Sequence, residues 1–209
     1  MRQVVNVGKM GRIAGLVLLL VLAGCSRELP LPPLAEDAVI LAFGDSLTYG
    51  TGAAPQQSYP ALLEQLSGRR VINAGVPGEM TAAGLERLPE VLDAYRPQLL
   101  ILCLGGNDLL RKQAPAEIAH NLERMVLLSR ERGVPVLLLG VPRPALFGLE
   151  SEPLYHALAE RLQVALEADV IPEVLADNGL KADPIHPNAD GYRVIAVAIH
   201  AKLKRSGAL

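Results

Sequence analysis

The chain has 209 residues, half of them hydrophobic and a fifth charged, with a formal net charge of −2. That length suits one domain with appendages, and that composition excludes a disordered chain. There is no basic block of the kind that tracks a phosphate backbone, so nucleic acid is not an expected partner.

The first segment in chain order is not part of the fold. Residues 1–24 carry Arg2, Lys9 and Arg12 without an acid, then the apolar stretch Ile13 to Leu22, then the small pair Ala23-Gly24 ahead of Cys25. This is the layout of a secretory signal peptide. Its apolar stretch falls short of the roughly 20 residues that a spanning helix needs. Leu22-Ala23-Gly24-Cys25 resembles a bacterial lipobox. The resemblance implies cleavage before Cys25 and acylation of that residue, and so attachment to a membrane. Ser26 in the next position implies, by resemblance to the sorting rule of enteric bacteria, an outer-membrane protein facing the periplasm. Losing the signal leaves a more acidic chain, so attachment rests on the lipid and not on charge. Residues 25–37 read as the lipidated cysteine and a tether, because Leu29-Pro30-Leu31-Pro32-Pro33 favours extended, polyproline-like backbone. The folded domain is expected over residues 38–209.

Within that domain, apolar strand-like runs alternate with helical spacing. Val39 to Phe43 predicts a buried first strand, and residues 59–67 a helix. Arg70 to Asn73 predicts a second strand. Thr81 can cap a helix running to about Tyr95, bent or split at Pro89. Leu99 to Leu104 predicts a third strand, in which Cys103 is a buried structural thiol. Pro115 suits the first turn of a helix that runs through Arg132 and ends at Gly133. Val134 to Leu139 predicts a fourth strand, 141–152 a loop, and 153–168 a helix. Asp169 to Ile171 predicts a weak fifth strand, and 188–204 a closing helix.

Strands alternating with helices predict an α/β fold, a three-layer α/β/α sandwich with a five-stranded parallel sheet in the flavodoxin-like order 2-1-3-4-5. The strands are continuous apolar runs, as sheets covered on both faces require. That order reverses direction between strands 1 and 3, and ligands bind at the carboxyl ends flanking such a reversal. Gly44-Asp45-Ser46 and Gly105-Gly106-Asn107-Asp108 follow those two strands and are expected to meet there.

A serine hydroxyl needs a positioned base. Of the four histidines, His120, His156 and His200 fall on predicted helices; His186 sits in the loop Asp183-Pro184-Ile185-His186-Pro187. Asp183, three residues earlier, can accept a hydrogen bond from His186 Nδ1 and turn Nε2 toward Ser46. Asn107, the Ser46 N–H and the Gly75 N–H are candidate donors to an oxyanion. Asp45, Asp108 and Asn73 are expected to brace loops. Leu109, Leu110, Pro142, Leu146 and Phe147 are candidate walls of an apolar groove.

Gly44-Asp45-Ser46-Leu47, Asn73-Ala74-Gly75, Gly105-Gly106-Asn107-Asp108 and Asp183-x-x-His186-Pro187-Asn188 resemble, in order, the four blocks of the SGNH (GDSL) hydrolases. The likeness covers about residues 38–204 and is greatest to bacterial thioesterase I/lysophospholipase and arylesterase members. It implies an SGNH hydrolase fold and a serine esterase with Ser46 as nucleophile, Asp183 and His186 completing the triad, and an oxyanion hole of Ser46, Gly75 and Asn107. The substrate would be a small ester, thioester or lysolipid. Neither a metal nor an organic cofactor is implied, and a monomer is expected. The same residues would serve a carbohydrate or peptidoglycan O-acetylesterase. A non-catalytic envelope lipoprotein that uses the fold for binding is the alternative of a different kind.

Overall fold

In the computed structural model, residues 29–146 and 148–209 are described. The signal peptide, Cys25 and Phe147 lie outside them.

Five parallel strands form the sheet: β1 (Val39–Gly44), β2 (Arg70–Gly75), β3 (Leu99–Cys103), β4 (Val136–Leu139) and a last strand, Ala165–Glu167, which is β7 in chain order. Their order is β2-β1-β3-β4-β7, the order expected from the sequence. β3 is the central strand, with β1 and β4 on either side, and almost every side chain on β1 and β3 is excluded from water. Each fully buried aliphatic side chain there contributes about 1.5–3 kcal/mol of transfer free energy. Three tyrosines, Tyr59, Tyr155 and Tyr192, add bulk to this otherwise aliphatic core. Their hydroxyls find partners in Thr48, the Leu104 carbonyl and the Thr51 carbonyl, which removes the penalty of burying them.

Helices cover the sheet in two groups. α2 (Tyr59–Ser67) packs with the closing helix α8 (Ala189–Arg205), and α3 (Thr81–Tyr95) packs with α5 (Pro115–Glu131), which also meets α6 (Pro153–Leu162). α1 (Ser46–Tyr49) and α4 (Gly106–Leu110) are single turns at the carboxyl ends of β1 and β3. Pro115 stands at the first position of α5, as its missing N–H favours. α3 runs through Pro89 unbroken.

Four expectations are corrected. The fifth strand is Ala165–Glu167; Val170 and Ile171 instead open helix α7 (Val170–Ala176), with Pro172 tolerated in its first turn. α6 accordingly stops at Leu162, six residues short of the expected end. The loop 141–152 contains a hairpin, β5 (Pro142–Pro144) against β6 (Leu149–Ser151). The tether does not stand free along its whole length. The N–H groups of Leu31 and Leu34 donate to Ser206 O and Ala208 O, both at 2.9 Å, and both side chains are buried. The Pro-rich stretch is thus sewn to the end of the chain from Leu31 onward, and the domain begins there and not at residue 38.

Candidate active site

β1 ends at Gly44, and the chain turns at Asp45 into α1. The Asp45 carboxylate caps that turn, Oδ1 accepting the Leu47 N–H at 3.0 Å. Ser46 is therefore the first residue of the helix, where its own N–H has no intrahelical acceptor. The His186 loop approaches from the other end of the chain. Asp183 Oδ1 accepts the N–H groups of Ile185 and His186, both at 2.9 Å, which folds the loop around the carboxylate. Asn188 then caps α8, accepting from Asp190 and Gly191 N–H. Tyr192, one turn into α8, donates to Thr51 O at 2.7 Å and ties this helix to the segment after α1.

The two ends meet as a relay. His186 Nδ1–H donates to Asp183 Oδ2 at 2.7 Å, and Ser46 Oγ–H donates to His186 Nε2 at 2.9 Å. A proton held on Nδ1 by the carboxylate leaves Nε2 as the acceptor. The N–H of Ile185 and the imidazole of His186 hold the Asp183 carboxyl below the usual carboxylate range.

Asn107, at the second position of α4, lines the same cavity as Ser46. Its Nδ2 donates to Glu79 O at 3.1 Å and, more weakly, to Asp45 Oδ2 at 3.3 Å. Asp45 is buried, and burial pushes its carboxyl up to about 7. Asp108 braces as expected: its oxygens accept both the N–H and the hydroxyl of Thr81. That corrects the role of Thr81. It is the first residue of α3 and not its cap, and the acid that serves the helix start comes from α4.

The relay opens into a cavity of about 620 Å³, within the range of small-molecule sites. Ser46, His186 and Asn107 line it together with mainly apolar walls: Leu47, Pro77, Leu109, Leu110, Val141, Pro142, Leu149, Leu175 and Ile185.

A profile of the GDSL-like Lipase/Acylhydrolase family matches residues 42–194, which include every residue of the relay. The chain belongs to that family. It is 36% identical to the esterase TesA of Pseudomonas aeruginosa over 80% of this chain and 89% of that one. It is 32% identical to an arylesterase of Vibrio mimicus over 78% and 87% of the two chains. A crystal structure of TesA superposes with a TM-score of 0.70 at 33% identity, covering 80% of this chain and 99% of the other.

Against this GDSL-like frame, Ser46, Asp183, His186 and Asn107 come together as the sequence suggested, and Leu109, Leu110 and Pro142 line the cavity. Leu146 does not line it; at the hairpin tip it is 90% exposed. Gly75 is the main correction. Its N–H already donates to Asn73 Oδ1 at 3.0 Å, and it does not line the cavity. It is glycine because a Cβ there would fall on the backbone of Thr48 and Tyr49 in α1. Gly78, three residues on, does line the cavity, in a left-handed conformation with φ +79°, and its N–H has no protein partner among the described residues. Pro77-Gly78 is a turn signal between a strand and a helix, and it was the cue available in the sequence. Arg87 is a further residue near the site that no sequence motif marks. It pairs with the buried Glu79 at 2.7–2.8 Å, donates to Ala74 O at 3.0 Å and lies 4.1 Å over the Phe43 ring. It so grips both ends of the loop that carries Gly78.

Proposed function

We propose that this chain is a serine esterase that cleaves carboxylic esters through an acyl-enzyme on Ser46 and is lipid-anchored at Cys25 to the outer membrane, facing the periplasm. The observation that carries the catalytic part is the unbroken Asp183–His186–Ser46 hydrogen-bond chain at the mouth of an apolar cavity. His186 Nε2 takes the Ser46 proton while Oγ bonds to the ester carbonyl carbon. The negative charge that develops on the carbonyl oxygen is received by the N–H groups of Ser46 and Gly78 and by Asn107 Nδ2, which gives up its long contact with Asp45. Collapse of the intermediate expels the alcohol or thiol, protonated by His186, and water repeats the sequence to release the acid. The assembled relay argues against a non-catalytic binding protein, and a cavity of about 620 Å³ with mainly apolar walls argues against a site for acetate alone. The anchor rests on Leu22-Ala23-Gly24-Cys25 and the signal-like segment before it.

The test is a series of p-nitrophenyl esters from acetyl to dodecanoyl, run on the chain from Ser26 onward. Hydrolysis is expected to peak between butyryl and octanoyl, to vanish in Ser46→Ala, and to fall roughly 10²–10³-fold in kcat in Asn107→Ala. Turnover of acetate alone would move the assignment to an O-acetylesterase.

A further inference from the structure

The catalytic cavity lies at the carboxyl ends of the strands, beside the His186 loop. α8 leaves that loop at Ala189 and runs 17 residues to Arg205, about 25 Å at 1.5 Å per residue. Ser206 and Ala208, just past its end, hold the N–H groups of Leu31 and Leu34. Pro32 to Ala35 share a groove with Pro97 and Gln98 ahead of β3 and with Gly133 to Pro135 ahead of β4. The N-terminal stretch is therefore fixed at the amino ends of the strands, the far side of the sheet from the cavity.

Only six residue steps separate Leu31 from Cys25. Fully extended, they reach about 20 Å. For the cavity mouth to sit on the bilayer that holds the Cys25 acyl chains, Leu31 would have to stand about 25 Å above that bilayer, with a leash that is shorter. Slippage of Leu31 to gain reach would cost its hydrogen bond to Ser206 and the burial of its side chain.

We infer that the cavity faces away from the anchoring bilayer, so that the ester it takes reaches it from the aqueous side and not from the leaflet that carries the anchor. The inference rests on the Cys25 anchor proposed above and narrows the substrate class to esters that are dissolved or carried on a surface opposite that membrane. The shortness of the leader, docked from Leu31 onward, sets the orientation.

The full chain, processed in a bacterial host and reconstituted into phosphatidylethanolamine/phosphatidylglycerol vesicles with an acceptor dye on the headgroups, tests this. A donor dye is placed on Ala35→Cys, in the groove beside the leader, or on Leu110→Cys, 60% exposed on the cavity wall. Cys103 is buried and does not compete for label. Energy transfer to the membrane is expected to be at least about twofold stronger from position 35 than from position 110, given about 25 Å between the two ends of the domain. Equal or stronger transfer from position 110 overturns the orientation. The mass of the N-terminal peptide separates the two ideas: an unmodified Cys25 removes the anchor and the orientation with it, whereas an acylated Cys25 with position 110 near the lipid removes the orientation alone.

Discussion

Asp45 sits directly before Ser46 and is the acid whose environment departs most from water. Its two oxygens face the Leu47 N–H and the Asn107 amide, and burial lifts its carboxyl from 3.8 to about 7. The unfolded chain sheds this proton near pH 4 and the folded chain near pH 7. Between those values the folded state holds the extra proton, so its contribution to stability is present below pH 4 and declines as pH rises toward 7. A shift of this size corresponds to a few kcal/mol, at about 1.4 kcal/mol per unit. Asp45→Asn is expected to flatten that decline, seen as urea-denaturation midpoints that no longer fall between pH 4 and 7; a parallel decline in both proteins would rule this out. Asp183 shifts the opposite way, and its contribution is lost as pH falls through the acid range. The side chains that carry the chemistry were legible in the sequence, because a serine, a histidine with an acid three residues before it, and an asparagine after a buried strand each announce themselves. The glycine proposed for the oxyanion hole was not. Gly75 ends β2 and Gly78 follows it, and only the turn of the Asn73 side chain onto the Gly75 N–H decides which of the two keeps a free donor.

At the scale of elements, the segment between β2 and α3 matters most, since it brings Gly78 and the Glu79 carbonyl to Ser46 and Asn107. Arg87, from the second turn of α3, grips it at Ala74 and Glu79. Glu79 is nearly excluded from water and Arg87 is one-quarter exposed, so the pair is partly screened. Arg87→Met leaves the Glu79 carboxylate buried without its partner and is expected to cost about 2 kcal/mol of stability. In the same variant kcat should fall more than KM rises, because a looser loop weakens holding of the transition state more than of the ester. Unchanged kcat with lowered stability would make Arg87 a purely structural brace. Strands with continuous apolar runs and the Pro115 helix start were readable from pattern alone. The last strand was not. Ala165-Leu166-Glu167 is three residues long, and the β-branched Val170-Ile171 beside it is the better strand signal in isolation. Tertiary context decides otherwise, since Asp169 stands at a helix start and Pro172 fits a first turn.

The whole molecule places a cavity at one end of the sheet and both termini of the described domain at the other. Leu31 and Leu34 close the core at that far end, contributing at most about 1.5–3 kcal/mol each. Starting the chain at Ala35 instead of Ser26 is thus expected to lower stability by about 3 kcal/mol, read from the urea midpoint, with ester turnover by the folded fraction retained. An unchanged midpoint would mean that the docked leader is energetically idle. A proline-rich stretch after a cysteine reads as a spacer from composition alone; that two leucines within it fill a hollow beside the C-terminus is information held by the remote end of the chain. The claim on which all of this depends is that Ser46 is an activated nucleophile. The most direct test is to treat the protein with a fluorophosphonate and map the adduct by mass spectrometry, since attack by Ser46 Oγ forms a stable phosphorus–oxygen bond and releases fluoride and a proton. A single adduct on Ser46, lost in His186→Ala, is the expected result; a folded protein that stays unlabelled, or carries the adduct on another residue, would contradict it.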